Sequence, residues 1–313
     1  MPGAKSSRHC ERSEAIRSGA RNIGLPRRPR PPAMTRNFPP PSCDDWIGRQ
    51  EIRRDVVTKG ALARFAATVG AIDGEAAPPG FHWCLCLPDA PVDALGEDGH
   101  PARGGFLPPV PLPRRMWAAS EVEFVAPIVV GATVERLSTI AAIEQKDGRS
   151  GALVFVGIDH LIRADGVDAV RERQTLVYRE VSPPMALPAT GQADLSAWPA
   201  TRTVRPEAPL LFRHSALTFN SHRIHYDLPY ARDVEGYPGL VVQGPLLASL
   251  LMKLALEQTG GRRLARFAFR GVSPAFAGQP LHLAARTGGD SITLAAIGDD
   301  GRQVLNAEAW AMA

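Results

Sequence analysis

Apolar positions recur along this chain in two rhythms, and each rhythm occurs twice. In Thr58 to Gly70, TKGALARFAATVG, residues Leu62, Phe65, Ala66 and Val69 share an i, i+3, i+4, i+7 stripe, which predicts a helix. In Gly244 to Gly260, GPLLASLLMKLALEQTG, apolar side chains occupy nearly every side apart from Ser249, Lys253, Glu257 and Gln258. A helix of that composition is expected to be buried. Downstream of each helix comes alternation of period two, RLSTIAAIE with ALVFVGIDHLI and then SITLAAIG with QVLNAEAWAM. That is the pattern of half-buried strands.

The punctuation between these segments is also duplicated. EFVAPIVVGATV and RGVSPAFAGQPL carry a Pro and a Gly four residues apart, Pro127/Gly131 and Pro274/Gly278, and read as strand, corner, strand. Asp147-Gly148 and Asp300-Gly301 read as two-residue hairpin turns, because both central positions of a type I′ turn need positive φ. The class expected is α+β. Each half is a long helix embraced by a curved antiparallel sheet, the hot-dog arrangement, and two halves in one chain would pair their sheets as a pseudo-dimer. Residues 44–182 form the first hot-dog domain and 210–313 the second. The Pro- and Ala-rich stretch 183–209, which carries no sustained period, is the linker.

Charge adds a tail to this picture. Residues 1–40 hold nine Lys/Arg against two Asp/Glu, so the net charge of +4 over 313 residues comes from the tail and the rest is mildly acidic. A Pro/Arg-rich segment without apolar period is expected to be disordered. Residues 1–43 are read as an import peptide, a basic arm, or upstream sequence translated ahead of a start at Met34, the last being favoured. The location of the charge argues against a nucleic-acid-binding domain. The longest apolar run, Gly239 to Leu256, is interrupted by Gln243, Pro245 and Lys253, so no membrane span is expected. Four cysteines, with Cys84 and Cys86 too close for a CxxC pair, suit a reducing cytoplasm and small apolar fillers.

The candidate chemistry lies in FNSHRIHYD, Phe219 to Asp227, where an amide, a hydroxyl, two imidazoles, a guanidinium, a phenol and a carboxylate fill nine positions. Setting Thr58 against Thr218 puts Phe65 opposite His225, so one half keeps packing where the other carries polar groups. His225 is the candidate proton-transfer group, since an imidazole titrates near 6.5 and can serve two proton steps. His222 and Asp227 are the candidates to supply basicity or fix its tautomer. Gly244, just ahead of Pro245 at the start of the second helix, can offer an unpaired N–H to a developing oxyanion. Arg223 and Tyr226 are substrate-binding candidates, Arg223 toward a CoA phosphate or in a structural ion pair, Tyr226 at the substrate or in packing. His214 and Arg213 are read as residues that open a strand. No third ligand stands beside His222 and His225, so no metal is expected, and no GxGxxG or P-loop pattern calls for a nucleotide cofactor.

FNSHRIHYDLPYA with EGYPGLVVQGPLLASLLM resembles the signature of MaoC-like, R-specific enoyl-thioester hydratases, in the branch of mesaconyl-C4-CoA hydratase and the type-2 hydroxyacyl-thioester dehydratases. DWIGR at Asp45 to Arg49 and GFLPPVPLPRRMWAASEVEF at Gly105 to Phe124 resemble that branch's first domain, so the likeness covers roughly residues 44–313. It implies an acyl-CoA hydratase or dehydratase, a soluble cytoplasmic hydro-lyase without cofactor, acting on a mesaconyl- or itaconyl-type thioester and expected to be a homodimer. A thioesterase and a non-catalytic acyl-CoA-binding subunit of a dehydratase stay open as alternatives. In the family's motif an Asp, an Asn and a His hold the water. Here those positions are Asn220, His222 and His225, so the carboxylate is replaced by an amide that cannot take a proton. Gln243 stands where relatives usually carry His.

Overall fold

The computed structural model describes residues 43–70, 76–148, 151–181, 183–189, 191 and 193–313. The expectations for the basic tail and for Met34 lie outside the described residues. The first half runs β1 (Gln50–Val56), α1 (Lys59–Val69), β2 (Arg114–Phe124), β3 (Thr133–Gly148), β4 (Gly151–Ala164) and β5 (Val167–Arg179). The second runs β6 (Ala200–Val204), α2 (Ala208–Thr218), α3 (Leu228–Asp233), α4 (Gly244–Gln258), β7 (Leu264–Gly271), β8 (Leu281–Gly288), β9 (Ser291–Gly298) and β10 (Gln303–Ala311).

The strands join in one antiparallel sheet, in the order β1-β3-β4-β5-β2-β7-β10-β9-β8-β6. Read from either edge the order is the same, with β6 for β1, β7 for β2, β8 for β3, β9 for β4 and β10 for β5. The duplication seen in the Pro/Gly corners is therefore present in the topology. Pro127/Gly131 lie between β2 and β3, Pro274/Gly278 between β7 and β8, and Gly131 and Gly278 take φ of 90° and 80°. The seam pairs β2 with β7, from Ala119↔Arg270 to Glu123↔Arg266. This is the double hot-dog arrangement.

Three details differ from the sequence reading. First, β6 lies inside the segment expected to be a linker; ATRTV pairs with β8 as an edge strand too short to announce itself by alternation. Second, Gly148 pairs with Gly151, so Asp147 and Gly148 end β3 and the hairpin's turn falls on residues outside the described set. In the other hairpin Gly301 N–H donates to the Gly298 carbonyl, Asp299 and Asp300 form the turn's centre, and Gly301 follows at φ 79°. Third, Thr58 precedes a helix whereas Thr218 ends one: Thr58 caps α1 by accepting from the Ala61 N–H, and the counterpart of α1 is α2. The alignment of Phe65 with His225 is thus one element out of register.

That shift exposes an asymmetry. α4 lies on β7, β8, β9 and β10 and buries Leu246, Leu247, Leu251, Met252, Leu254 and Ala255, as its apolar composition requires. α1 packs on α2, α4 and a 3-10 turn at Phe81–Cys84. Between α1 and β2 the described chain has only short 3-10 turns, so α4 has no counterpart among the described residues of the first half. No helix among the described residues is long and apolar enough to cross a membrane. Leu251→Ala removes a fully buried side chain from this rod and is expected to lower the unfolding free energy by about 3 kcal/mol. Urea titration checks it; a loss below about 1 kcal/mol would mean the helix is loosely held.

Candidate active site

The site begins where α2 stops. Phe219 closes the helix in the left-handed conformation, φ 48°, with its N–H on the Ser215 carbonyl, and turns the chain into the histidine loop. Such a φ in a bulky residue costs about 1–2 kcal/mol and is held only by its surroundings. Asn220 Oδ1 accepts from the His222 N–H at 3.0 Å. The Ser221 hydroxyl donates to the Gly99 carbonyl, and the Arg223 N–H donates to the Asp98 carbonyl at 2.9 Å. A loop of the first half therefore clamps the histidine loop of the second.

His225 is buried, and its Nδ1 lies 2.7 Å from the Val241 carbonyl. A carbonyl can only accept, so Nδ1 carries the hydrogen and Nε2 is left as a bare lone pair. Burial pushes this imidazole down to about 4, against the pull of the Val241 carbonyl, with the charge of His100 adding to the effect of burial. It is a neutral base at pH 7. The ring lies 5.4 Å from that of His222, which in turn stacks on His100 at 4.1 Å. Burial, then His100, His225 and Arg115, drive His222 strongly downward. His214, placed on α2 rather than at a strand, is pushed down to about 3 by burial and then by His225.

These groups face one cavity of about 1380 Å³, whose lining includes six of the chain's eight histidines, His82, His100, His160, His214, His222 and His225. Asn220, Tyr226, Gln243 and Gly244 also line it. Gly244 is the first residue of α4, where backbone N–H groups have no partner within the helix. Gln243, ahead of it, donates from Nε2 to the Leu211 carbonyl and to Ser215 Oγ, both at 2.9 Å. It ties α4 to α2 and does not titrate. Half-exposed Tyr226 stands at the rim of the lining.

Two candidates are placed elsewhere. Asp227 caps α3 by accepting from the Tyr230 N–H and pairs with Arg223 at 2.7 Å, so it neither touches His225 nor lines the cavity. Arg223 is held by Asp227, by the Glu97 carbonyl and by the Tyr230 ring at 4.1 Å, and is off the cavity wall. Their side chains brace the loop. Cys84 and Cys86 are buried, and burial raises the Cys84 thiol to about 12.

Sequence reasoning missed the first half's contribution. Asp98 accepts from His100 Nδ1 at 3.1 Å. Burial raises its carboxyl, but the bond and charge of His100 and the charge of Arg115 outweigh that and hold it at about 2. Asp98, His100 and His222 bring possible ligand atoms within 4.8 Å of one another, which corrects the expectation that no third ligand stands nearby. The His100 and His222 rings stack at 40°, and Asp98 is engaged with His100, so the trio reads as a hydrogen-bonded stack. Farther along the cavity Glu172 is buried and accepts from Trp83 Nε1 at 3.1 Å and Ser120 Oγ at 2.6 Å, with His82 Nε2 at 3.6 Å. Burial raises its carboxyl, yet the bond and charge of His82, then His160 and Ser120, bring it down to about 2. Asp98-Gly99-His100 carries no pattern that marks it in the sequence, and it gains meaning once the loop before β2 lies beside residue 222.

The histidines predict an acid response. In the unfolded chain each titrates near 6.5, whereas burial holds His100, His160, His214, His222 and His225 lower in the fold. The unfolded state then binds protons that the folded state refuses, so stability is complete above about pH 7 and falls as pH drops through 6.5 toward 4. The slope is expected to exceed about 1.4 kcal/mol per pH unit, the one-proton value. Urea midpoints between pH 7 and 5 measure it; a flat or rising midpoint contradicts this description.

Residues 80–277 match the protein family described as hydroxyacyl-thioester dehydratase type 2. The chain is 45% identical over 267 residues to mesaconyl-C4-CoA hydratase of Chloroflexus aurantiacus, covering 84% of this chain and 95% of that protein. It is 29% identical to the mitochondrial hydroxyacyl-thioester dehydratase type 2 of Schizosaccharomyces pombe, over 66% of this chain and 76% of the relative. Among solved structures, a MaoC-like dehydratase from Phytophthora capsici aligns with a TM-score of 0.64 at 16% identity, covering 86% of this chain and 98% of that one. A Mycobacterium tuberculosis protein described as a double hot-dog aligns at 0.53 and 13% identity, covering 86% and 97%. At such identities the likeness establishes the fold.

Proposed function

This chain belongs to the hydroxyacyl-thioester dehydratase type 2 family, and from that premise we propose that it adds water reversibly across the α,β double bond of an acyl-CoA thioester. The observation that carries the reading is His225: a buried neutral imidazole, its tautomer fixed by the Val241 carbonyl, at the wall of a large cavity that also reaches the first turn of α4.

In the hydration direction His225 Nε2 takes a proton from water as the hydroxyl oxygen bonds to the β-carbon. The π electrons move toward the thioester oxygen, and the Gly244 N–H, at the start of α4 on the cavity wall, would receive the developing charge. The proton then passes from His225 to the α-carbon, which restores the carbonyl and the neutral imidazole. Asn220 cannot serve as a base: its oxygen holds the His222 N–H, and its role is to set the loop. His222, kept neutral, borders the water site. The second half supplies the acid–base chemistry and the first half shapes the acyl group.

Identity to a mesaconyl-C4-CoA hydratase over most of both chains supports a mesaconyl-type thioester as substrate. A homodimer and a cytoplasmic setting belong to the same reading. The purified protein is expected to bleach the conjugated thioester absorbance of mesaconyl-C4-CoA without releasing thiol. Thiol release detected by a disulfide reagent would make it a thioesterase instead. Tight binding of the ester with unchanged absorbance would make it a binding subunit.

A further inference from the structure

Two arginines are buried among the described residues, Arg114 and Arg115, and they are neighbours on β2. Arg114 pairs with Glu235 at 3.0 Å, stacks over Tyr237 and does not line the cavity. Arg115 does line it, and at 7% exposure it is as enclosed as His225. Among the described residues no carboxylate lies within ion-pairing distance of its guanidinium; its neighbours are neutral, the Pro101 carbonyl at 3.4 Å from Nη2 and the phenol of Tyr178, which faces it from β5. Its Nε has no partner. A guanidinium buried without a counter-ion is unfavourable, and an anion arriving from the cavity would offset that.

The other cavity arginines are placed differently. Arg53 is paired with Glu51 and Asp89, and Arg103 donates to the carbonyls of Val110, Leu112 and Pro113. Arg136 donates to the Cys86 carbonyl in the neighbourhood of Glu172, and Arg179 is half-exposed at the end of β5. Arg115 alone among them is felt by His222, and its charge also acts on His100 and Asp98. Its guanidinium reaches the carbonyl of Pro101, next to His100, whose ring stacks on His222, so it stands on the histidine side of the chamber.

An anion bound there would lie on the histidine side of the cavity, where the proposed hydration takes place. The CoA phosphates belong at the mouth, where solvent screens them, and the thioester oxygen carries charge only in the transition state. A carboxylate fixed on the β-carbon meets both requirements of place and charge. We infer that Arg115 is the specificity-determining residue that pairs with this carboxylate, so that the site selects α,β-unsaturated thioesters bearing an acid group at the β-carbon over simple enoyl thioesters. The inference rests on the hydratase reading above.

The test compares kcat/KM for mesaconyl-C4-CoA and crotonyl-CoA in the wild type, Arg115→Gln, Arg115→Lys and Arg136→Gln. The wild type is expected to prefer the dicarboxylic substrate by about 100-fold, and Arg115→Gln to collapse that ratio by a similar factor, with Lys restoring part of it. An equal loss on both substrates would make Arg115 an oxyanion or histidine-tuning group and overturn the inference. So would collapse of the ratio in Arg136→Gln but not in Arg115→Gln. A second measurement needs no variant: methylsuccinyl-CoA, esterified on the carboxyl far from its methyl, and isovaleryl-CoA differ by carboxylate against methyl at that carbon. The first should compete with substrate at least 10-fold more tightly in the wild type, and equal inhibition constants sink the proposal. Absence of turnover with either enoyl thioester would instead remove the hydratase reading itself.

Discussion

His225→Asn is expected to lower kcat for hydration about a thousandfold, the size of a lost general acid–base group. Asparagine is chosen because its Nδ2 can still donate toward the Val241 carbonyl, 2.7 Å from Nδ1 in the native protein, while nothing replaces the lone pair at Nε2. KM should change little, since the imidazole acts on protons in flight rather than on the bound ester. The pH profile gives a second readout. His225 is depressed to about 4, so the wild type should keep its base deprotonated well below 6.5 and show an acid limb nearer 4 to 5, narrowed by acid unfolding. That limb should vanish from the residual rate of the variant. Turnover within tenfold of wild type would remove His225 from the proton path.

Gly99→Ala should be nearly as damaging, although residue 99 lies in the first half and carries no chemistry. Its φ is +85°, and a Cβ built there would meet the Ser221 carbonyl oxygen at 2.0 Å and Arg223 Cγ at 3.3 Å. The oxygen is backbone and cannot swing aside, so the histidine loop must retreat by an ångström or more. Misplacement on that scale costs about 100-fold in rate. Left-handed strain adds about 1–2 kcal/mol of lost stability. Kinetics at a pH where the variant is fully folded separate the two effects. Wild-type kcat with only a lowered urea midpoint would show that the loop from the first half does not set the histidines.

Much of the architecture was legible because it depends on local rules. The apolar run of α4 announced a buried rod, and Pro127/Gly131 with Pro274/Gly278 marked the same corner twice. What local rules cannot convey is register between distant segments. Thr58 and Thr218 look alike as residues, yet one opens a helix and the other closes one, so only the strand pairing shows that α1 answers to α2. β6, with five residues at a sheet edge, has too short a period to stand out. In the candidate site, FNSHRIHYD pointed to the buried imidazole of His225, but nearness along the chain picked the wrong neighbours for it. Asp227 and Arg223 sit within four residues of His225 and brace each other, whereas His100, Asp98 and Arg115 lie more than a hundred residues upstream and reach its neighbourhood through the loop that clamps residues 221–223 and the start of β2. A histidine count could have hinted at this, since six of eight converge on one chamber.

Among the described residues the first half has no equivalent of α4, and short 3-10 turns lie between α1 and β2. The cavity is walled unequally as a result, by the histidine loop and the start of α4 from the second half and by β2 with the loop before it from the first. On the hydratase reading, proton transfer would fall to the second half and substrate choice to the first. New acyl selectivity should arise most readily through changes at Phe81–Cys84 and along β2, with the histidine loop left as it stands.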